Sequence, residues 1–280
     1  MKVPGGRTAV YALLGKPVGH TLSPAMHNAA FSATGRDAVY VAFEVGAGDF
    51  PAALAGAHTL GLKGLNVTVP HKRDAYRLAR EADDTAKATG AANTLVPCEG
   101  GYRAYNTDVA GFLSAIADDP GFEPEGRRAF VLGAGGAARA AVYGLMKAGT
   151  GKVYVAAREK DRAKALADEI SYGAEHALAV EIMDAPSLLG RGDLMVSATP
   201  LGLDPEAVWP VPPGDFEQGV LFYDMAYGRG KTSLEREAAE AGHKSASGQK
   251  MLLMQGVAAF ELWTGAKAPL EAMAEALVSG

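Results

Sequence analysis

A single cysteine, Cys98, stands in 280 residues. That excludes an internal disulfide, a CxxC redox pair and a cysteine-rich zinc site, and it fits a reducing compartment. Cys98 reads as a small apolar filler. Blocks of positive charge are also missing. Lys and Arg number 27 against 32 Asp and Glu, a formal net charge of −5, so no basic stripe neutralises phosphates and no nucleic-acid partner is expected. Long apolar runs are absent too: Ala9 to Leu14 is far short of the roughly 20 residues a spanning helix needs, and Met1 to Arg7 carries no apolar signal core. A cytoplasmic location without a membrane partner is expected. His20, His27 and His71 show no HExxH spacing and no carboxylate partner, so no metal is expected. Neither GxSxG nor a partnered cysteine nucleophile occurs, which leaves hydrolase chemistry unsupported. There is no internal repeat and no low-complexity tract.

What is present is a globular composition, 48% hydrophobic and 21% charged, which excludes a disordered chain. Length divided by a typical domain of about 150 residues gives two modest domains or one large α/β unit. Glycine, at 35 of 280, is about twice its usual share, without a collagen period. Short β-branched runs alternate with Ala/Leu-rich stretches, the pattern of parallel βα units. Strands are expected near 8–14, 38–45, 62–69, 128–132, 152–156, 178–182, 193–198 and 220–225, with a hairpin joining 92–96 to 102–106. Ser23 is expected to cap a helix with Pro24 as its first residue, and another helix starts after Pro70. Asp118 to Gly126 is polar and turn-rich, a lead into a second folding unit.

After the strand Ala129-Phe130-Val131-Leu132 comes Gly133-Ala134-Gly135-Gly136-Ala137-Ala138, opening a helix over Arg139 to Ala148. This is G-x-G-x-x-A in the strand-to-helix setting of a dinucleotide site. Gly133 permits the turn, Gly135 lets a pyrophosphate approach the backbone, and Ala138 lets helix and strand pack closely. Free N–H groups at the helix start hold phosphate oxygens. The bland alternative is a glycine-rich turn without a ligand; the flanking strand and helix favour the cofactor. The next strand ends at Ala157-Arg158 rather than at the acidic residue that binds a ribose 2′-hydroxyl. An arginine there suits a 2′-phosphate, which favours NADP and leaves NAD as the weaker alternative. Arg162, one turn on, reaches toward the same phosphate; Glu159 argues the other way.

Four polar clusters fall at predicted strand ends, where α/β sites are built: Gly15 to Pro24, Asn66 to Lys72, Gly90 to Thr94 and Asn106-Thr107-Asp108. Singly each has an ordinary explanation: a cap at Ser23, a strand residue at Thr68, a solvated lysine at Lys72, a turn former at Asn93, a helix cap at Asp108. Together they offer hydroxyls, an amide, an ammonium and a carboxylate, which suits a small polyhydroxylated acid.

At these residues the chain resembles the shikimate dehydrogenase family. Gly15 to Asn28 is similar to its opening motif, and Asn66-Val67-Thr68-Val69-Pro70-His71-Lys72 to its central one. Ala91 to Thr94, Asn106 to Asp108, Ala198 to Gly202, Tyr223 to Tyr227 and Met251 to Gly256 continue the likeness in order, over nearly the whole chain. The resemblance implies two α/β domains with a cleft between them: a substrate domain, 1–107 completed by 249–280, and a doubly wound Rossmann NADP domain, 108–248. It implies NADP-dependent, reversible reduction of 3-dehydroshikimate to shikimate in aromatic amino acid biosynthesis, by a monomer or homodimer. Carried over by motif, Thr21, Ser23 and Tyr227 bind the substrate carboxylate, Thr68, Asn93 and Gln255 hold ring hydroxyls, and Lys72 and Asp108 form the catalytic pair. Gly133, Ala134, Gly135, Gly136, Ala137, Arg158, Arg162, Thr199 and Met225 hold the cofactor. A ketone receiving hydride builds alkoxide charge that an ammonium stabilises and protonates, and Asp108 orients that ammonium.

The chain departs from the family pattern at several places. Thr21 replaces a frequent serine, Ala157 an asparagine, Glu159 a threonine or serine, Ser197 an asparagine and Arg229 a proline, so NADP preference rests on Arg158 and Arg162. Gly228 to Thr232 ends like a phosphate-binding P-loop, but the first glycine of that motif falls at Met225 and the motif fails; a helix with a polar start is expected instead. Quinate/shikimate and aminoshikimate dehydrogenases share the quoted motifs, and a non-catalytic NADP-binding sensor is the alternative from another class. A sensor has no need of both Lys72 and Asp108.

Overall fold

The structure, a computed structural model, describes residues 3–171, 176–204, 206–228 and 230–279; Arg229 lies outside them. The chain forms two compact units, Met1–Thr107 with Leu252–Gly280, and Asp108–Met251.

The first unit begins with β1 (Ala9–Gly15), α1 (Ser23–Ala33), β2 (Ala38–Glu44), α2 (Phe50–Thr59) and β3 (Gly64–Val67), followed by α3 (Lys72–Leu78), β4 (Glu81–Ala82), α4 (Asp84–Thr89) and the hairpin β5 (Thr94–Cys98) and β6 (Gly101–Tyr105). Among the described residues its sheet has the order β2-β1-β3-β5-β6-β4. β1 runs parallel to β2 and β3, and the hairpin is antiparallel. Strands covered on both faces read as continuous apolar runs, as β1 does in Ala-Val-Tyr-Ala-Leu-Leu. The open edge of β2 is blunted by Asn28 on α1. Its amide donates to the Tyr40 carbonyl at 2.9 Å, and its Oδ1 accepts the Tyr40 N–H at 2.8 Å.

The second unit contains α5 (Asp108–Asp118), β7 (Arg128–Leu132), α6 (Gly136–Lys147), β8 (Lys152–Ala156), α7 (Lys160–Ser171), β9 (Ala177–Ala179), α8 (Ala185–Leu188), β10 (Leu194–Ser197), β11 (Leu221–Asp224), α9 (Ser233–Glu240) and β12 (Ser245–Ser247). Its sheet, β12-β11-β10-β7-β8-β9, is parallel throughout. Numbered from β7, that is the 3-2-1-4-5-6 order of doubly wound dinucleotide folds, whose ligands sit at the carboxyl ends of strands beside the β7/β10 reversal. The small Ala138, Ala141 and Val142 of α6 pack with Val131, Val153 and Val155 in the core. α10 (Gln249–Thr264) carries the chain back into the first unit, and α11 (Leu270–Ser279) ends it.

Several expectations are corrected. Ser23 is the first helical residue and Leu22 the cap, which makes no side-chain capping bond; the cap role fails because Leu22 already has helical dihedrals. α6 begins at Gly136, not Arg139, since the extended backbone ends at Gly135. The strand expected at 62–69 spans Gly64–Val67. The strand expected at 178–182 spans Ala177–Ala179 and gives way to a 3-10 turn over Ile182–Asp184. The helix expected past Lys231 is α9, with Thr232 and Glu235 forming its capping box.

Candidate active site

In the first unit the chemistry gathers where strands end. The Thr21 hydroxyl donates to Ser23 Oγ at 3.2 Å, and its oxygen accepts the Ser23 N–H at 3.3 Å, so the two hydroxyls stand together at the mouth of α1. Thr68, just beyond β3, places its methyl where a Cβ on Gly15 would lie, so this approach of the two loops requires glycine. Lys72 opens α3, half-buried, and its carbonyl accepts the Ala92 N–H at 2.8 Å. That bond ties the lysine's backbone to the turn before Asn93.

Asn93 is buried at the centre of an amide network. Its Oδ1 accepts the Thr107 N–H at 2.7 Å, and its Nδ2 donates to Thr107 Oγ1 at 2.9 Å and to Gln255 Oε1 at 3.2 Å. Gln255 Nε2 in turn donates to the Leu252 carbonyl at 2.8 Å. Behind them Asn66 donates to the Asn93 carbonyl and to Thr94 Oγ1, both at 3.1 Å, and accepts the Tyr40 hydroxyl at 2.8 Å. Buried amides satisfied on every side are rigid and hold one another's orientation.

In the second unit Gly133 has φ +131°, and a Cβ there would lie 2.8 Å from the Ala198 carbonyl oxygen. Both facts demand glycine. Gly135 caps α6 in extended conformation without any side-chain capping bond, and a Cβ on it would meet nothing within 4 Å. Ala134, Gly136 and Ala137 complete the half-buried turn. The first amides of α6 therefore face open space, the arrangement that receives phosphate at a helix N-terminus, and Gly133 to Ala137 fit an NADP pyrophosphate. Past β8, Arg158 is exposed and has no ion-pair partner among the described residues. Arg162 pairs with Glu159 at 3.2 Å, both largely exposed. Thr199 follows β10 and lies 3.2 Å from the buried Ser197 hydroxyl, while the Met225 N–H donates to the Ser197 carbonyl at 2.8 Å. Asp108 and Tyr227 also belong to this unit, whereas Thr21, Ser23, Thr68, Lys72, Asn93 and Gln255 belong to the first.

His27 and His71 are packed in the core, whereas His20 is exposed. His71 is buried, stacks on Phe50 at 4.5 Å and lies 2.8 Å from the Val45 carbonyl. His27 stacks on Tyr40 at 4.5 Å, and burial lowers its pKa to about 3. Among the described residues no group of three His, Cys, Asp or Glu side chains is arranged to hold a metal. No described helix is long and apolar enough to cross a membrane.

Sequence reasoning singled out neither Tyr40 nor Asp224 as a functional residue. The amide role of Asn66 was signalled only by a polar residue inside an otherwise apolar strand. Asp224 ends β11 fully buried, with its pKa raised to about 6 by that burial. Its signal was a carboxylate following the apolar Leu221-Phe222-Tyr223.

Comparison with known proteins bears on the whole length. The shikimate dehydrogenase substrate binding domain matches residues 13–95, the shikimate / quinate 5-dehydrogenase family residues 117–203, and the shikimate 5'-dehydrogenase C-terminal domain residues 249–278. The NADP(+) shikimate dehydrogenase of Moorella thermoacetica is 44% identical over 270 residues, covering 95% of this chain and 91% of its own. A crystal structure of a shikimate dehydrogenase in complex with NADP+ superposes with TM-score 0.88 at 34% identity, covering 99% of this chain and 97% of that one. The Thermus thermophilus enzyme in complex with NADP(H) and shikimate gives TM-score 0.83 at 37% identity, over 96% and 98% of the two chains. With its ordered motifs, its doubly wound second unit and relatives matched end to end, the chain belongs to the shikimate dehydrogenase family.

Proposed function

We propose that this protein catalyses the NADP-dependent, reversible reduction of 3-dehydroshikimate to shikimate, a step of aromatic amino acid biosynthesis. The observation that carries the reading is the uncapped start of α6, opened by a turn that admits no side chain at Gly133, in a chain of this family that has both Lys72 and Asp108. Gly133 to Ala137 hold the pyrophosphate of NADP, Arg158 and Arg162 its 2′-phosphate, and Thr199 and Met225 flank the remainder. When bound, the nicotinamide supplies the hydride.

The first unit and Tyr227 then act on the acid. Thr21, Ser23 and Tyr227 bind the carboxylate through hydroxyl donors. Thr68, Asn93 and Gln255 hold ring hydroxyls, and the network behind Asn93 spares them reorganisation when substrate arrives. Lys72 stabilises the alkoxide that develops on the carbonyl oxygen and gives it a proton, with Asp108 orienting the ammonium. In the reverse direction the same lysine takes the proton from the alcohol.

The deciding experiment compares rates with shikimate, quinate and aminoshikimate, each with NADP and with NAD. Fastest turnover of shikimate with NADP supports the reading. A preference for quinate or aminoshikimate moves the protein to that branch of the family. No turnover of any of them overturns the assignment and leaves a dinucleotide sensor.

A further inference from the structure

Asp224 is buried to zero exposure at the carboxyl end of β11, and four segments of the second unit converge on its carboxylate. Its Oδ1 accepts the Ala226 N–H at 3.1 Å, which fixes the chain leaving the strand through Met225 to Tyr227. A Cβ on Gly202 would run into Oδ2, so the 3-10 turn Pro200–Leu203, next to Thr199, packs its backbone directly on the carboxylate. The hydroxyls of Ser197, at the end of β10, and of Thr232, the cap of α9, face it and favour its charged form without closing a hydrogen bond on Oδ2, which has no partner among the described residues. The other titratable groups that face it are Tyr223, itself buried, and Glu235, whose Oε2 accepts the Thr232 N–H at 2.9 Å. No cation among the described residues pairs with it.

A carboxylate buried without a counter-charge is costly. Clusters of this kind gather at functional sites. Asp224 joins the two segments that carry Thr199, Met225 and Tyr227.

We propose that Asp224 is a positioning residue that sets the arrangement of Thr199, Met225 and Tyr227, and through them the affinity for dinucleotide. The proposal rests on the reading of the second unit as the cofactor domain. Ionised, the carboxylate holds the Ala226 amide and draws the two facing hydroxyls toward it. On gaining a proton it must act as a donor where it had only accepted, and the two segments lose their common anchor.

The test is calorimetric titration of NADP+ and NAD+ into the wild type, Asp224→Asn and Ser197→Ala from pH 5 to pH 8. The 2′-phosphate of NADP+ also protonates near pH 6, so NAD+, which lacks it, isolates the contribution of the protein. We expect wild-type affinity for NAD+ to weaken as pH falls from 7 to 5. Asp224→Asn should bind both dinucleotides about tenfold more weakly at pH 8 and lose that pH dependence. Ser197→Ala, which removes one hydroxyl favouring the charged form, should keep the dependence with its midpoint moved to higher pH, and it serves if Asp224→Asn does not fold. A pH-independent wild type overturns the proposal, as does a midpoint unmoved in Ser197→Ala or an Asp224→Asn variant with wild-type affinity and profile. A wild type that binds neither dinucleotide at any pH overturns the cofactor reading, and this proposal with it.

Discussion

Single side chains decide the chemistry. If Lys72 has the proposed role, Lys72→Ala removes an interaction made with the charge that develops during reduction, and turnover should fall by about three orders of magnitude. NADP+ binding measured calorimetrically should stay within about twofold of the wild type, because the adenosine end lies on the other unit. Of the two arginines proposed for the 2′-phosphate, Arg158 should carry the larger share, since Arg162 already shares its charge with Glu159. Arg158→Ala should raise the Michaelis constant for NADP about tenfold and leave that for NAD nearly unchanged. Glu159→Thr should lower the constant for NADP by about two- to fivefold, the size of an exposed ion pair released for another anion. Equal effects on the two cofactors would remove both residues from 2′-phosphate recognition. The sequence showed the opposing signs of Arg158 and Glu159; the pairing of Glu159 with Arg162 was out of its reach, because which of two neighbouring arginines a carboxylate selects depends on the turn between β8 and α7.

Elements place these side chains. The turn from β7 into α6 was legible because glycine spacing there encodes a backbone conformation, and Gly133 takes that conformation at φ +131°. Gly133→Ala should cost about 1–3 kcal/mol in urea unfolding and weaken NADP+ more than shikimate, since the displaced group is the Ala198 carbonyl beside Thr199. Equal weakening of both ligands would show a general loss of structure instead. The strands β4 and β12, two and three residues long, were not legible: alternation needs more residues to show itself, and these strands are held by their neighbours in the sheet. The Ser23 cap was misread for a related reason. Ser-Pro fits either of two registers of a helix start, and the local sequence does not choose between them.

For the molecule as a whole, acid stability is set by two buried groups of opposite sign. His27 is held neutral to about pH 3, so between its ordinary value and that point the unfolded chain binds the extra proton, and stability falls as pH drops from about 6.5. Asp224, raised to about 6, binds its proton in the folded state first, so its contribution falls as pH rises from about 4 to 6. Between about pH 4 and 6 the two slopes cancel, so the thermal midpoint should fall as pH drops from about 6.5 to 6, stay level to about 4 and fall again toward 3. His27→Leu should leave a midpoint that rises as pH falls from about 6 to 4, and Asp224→Asn one that declines throughout from about 6.5 to 3. A profile unchanged in both variants would assign acid sensitivity elsewhere. Neither group was legible as such, because burial of a lone histidine or aspartate is a property of the assembled core, whereas the family was readable from the order of the motifs.

The passage of α10 between the two units has a consequence for how the protein is made. Leu253, Phe260, Ala268 and Met273 pack with Tyr11, Met26, Phe31 and Tyr40, Gly64 lacks the Cβ that would strike the Trp263 ring, and Trp263 Nε1 donates to the Leu95 carbonyl at 3.1 Å. Synthesis proceeds from the amino terminus at about 5–20 residues per second, so the first 107 residues wait roughly ten to thirty seconds for the segment that closes their core. The last residue of the second unit, Met251, is made about one to four seconds before Met273. The unit first to leave the ribosome is thus the last to mature, and a released chain truncated after Met251 should carry a folded second unit behind a protease-sensitive first one.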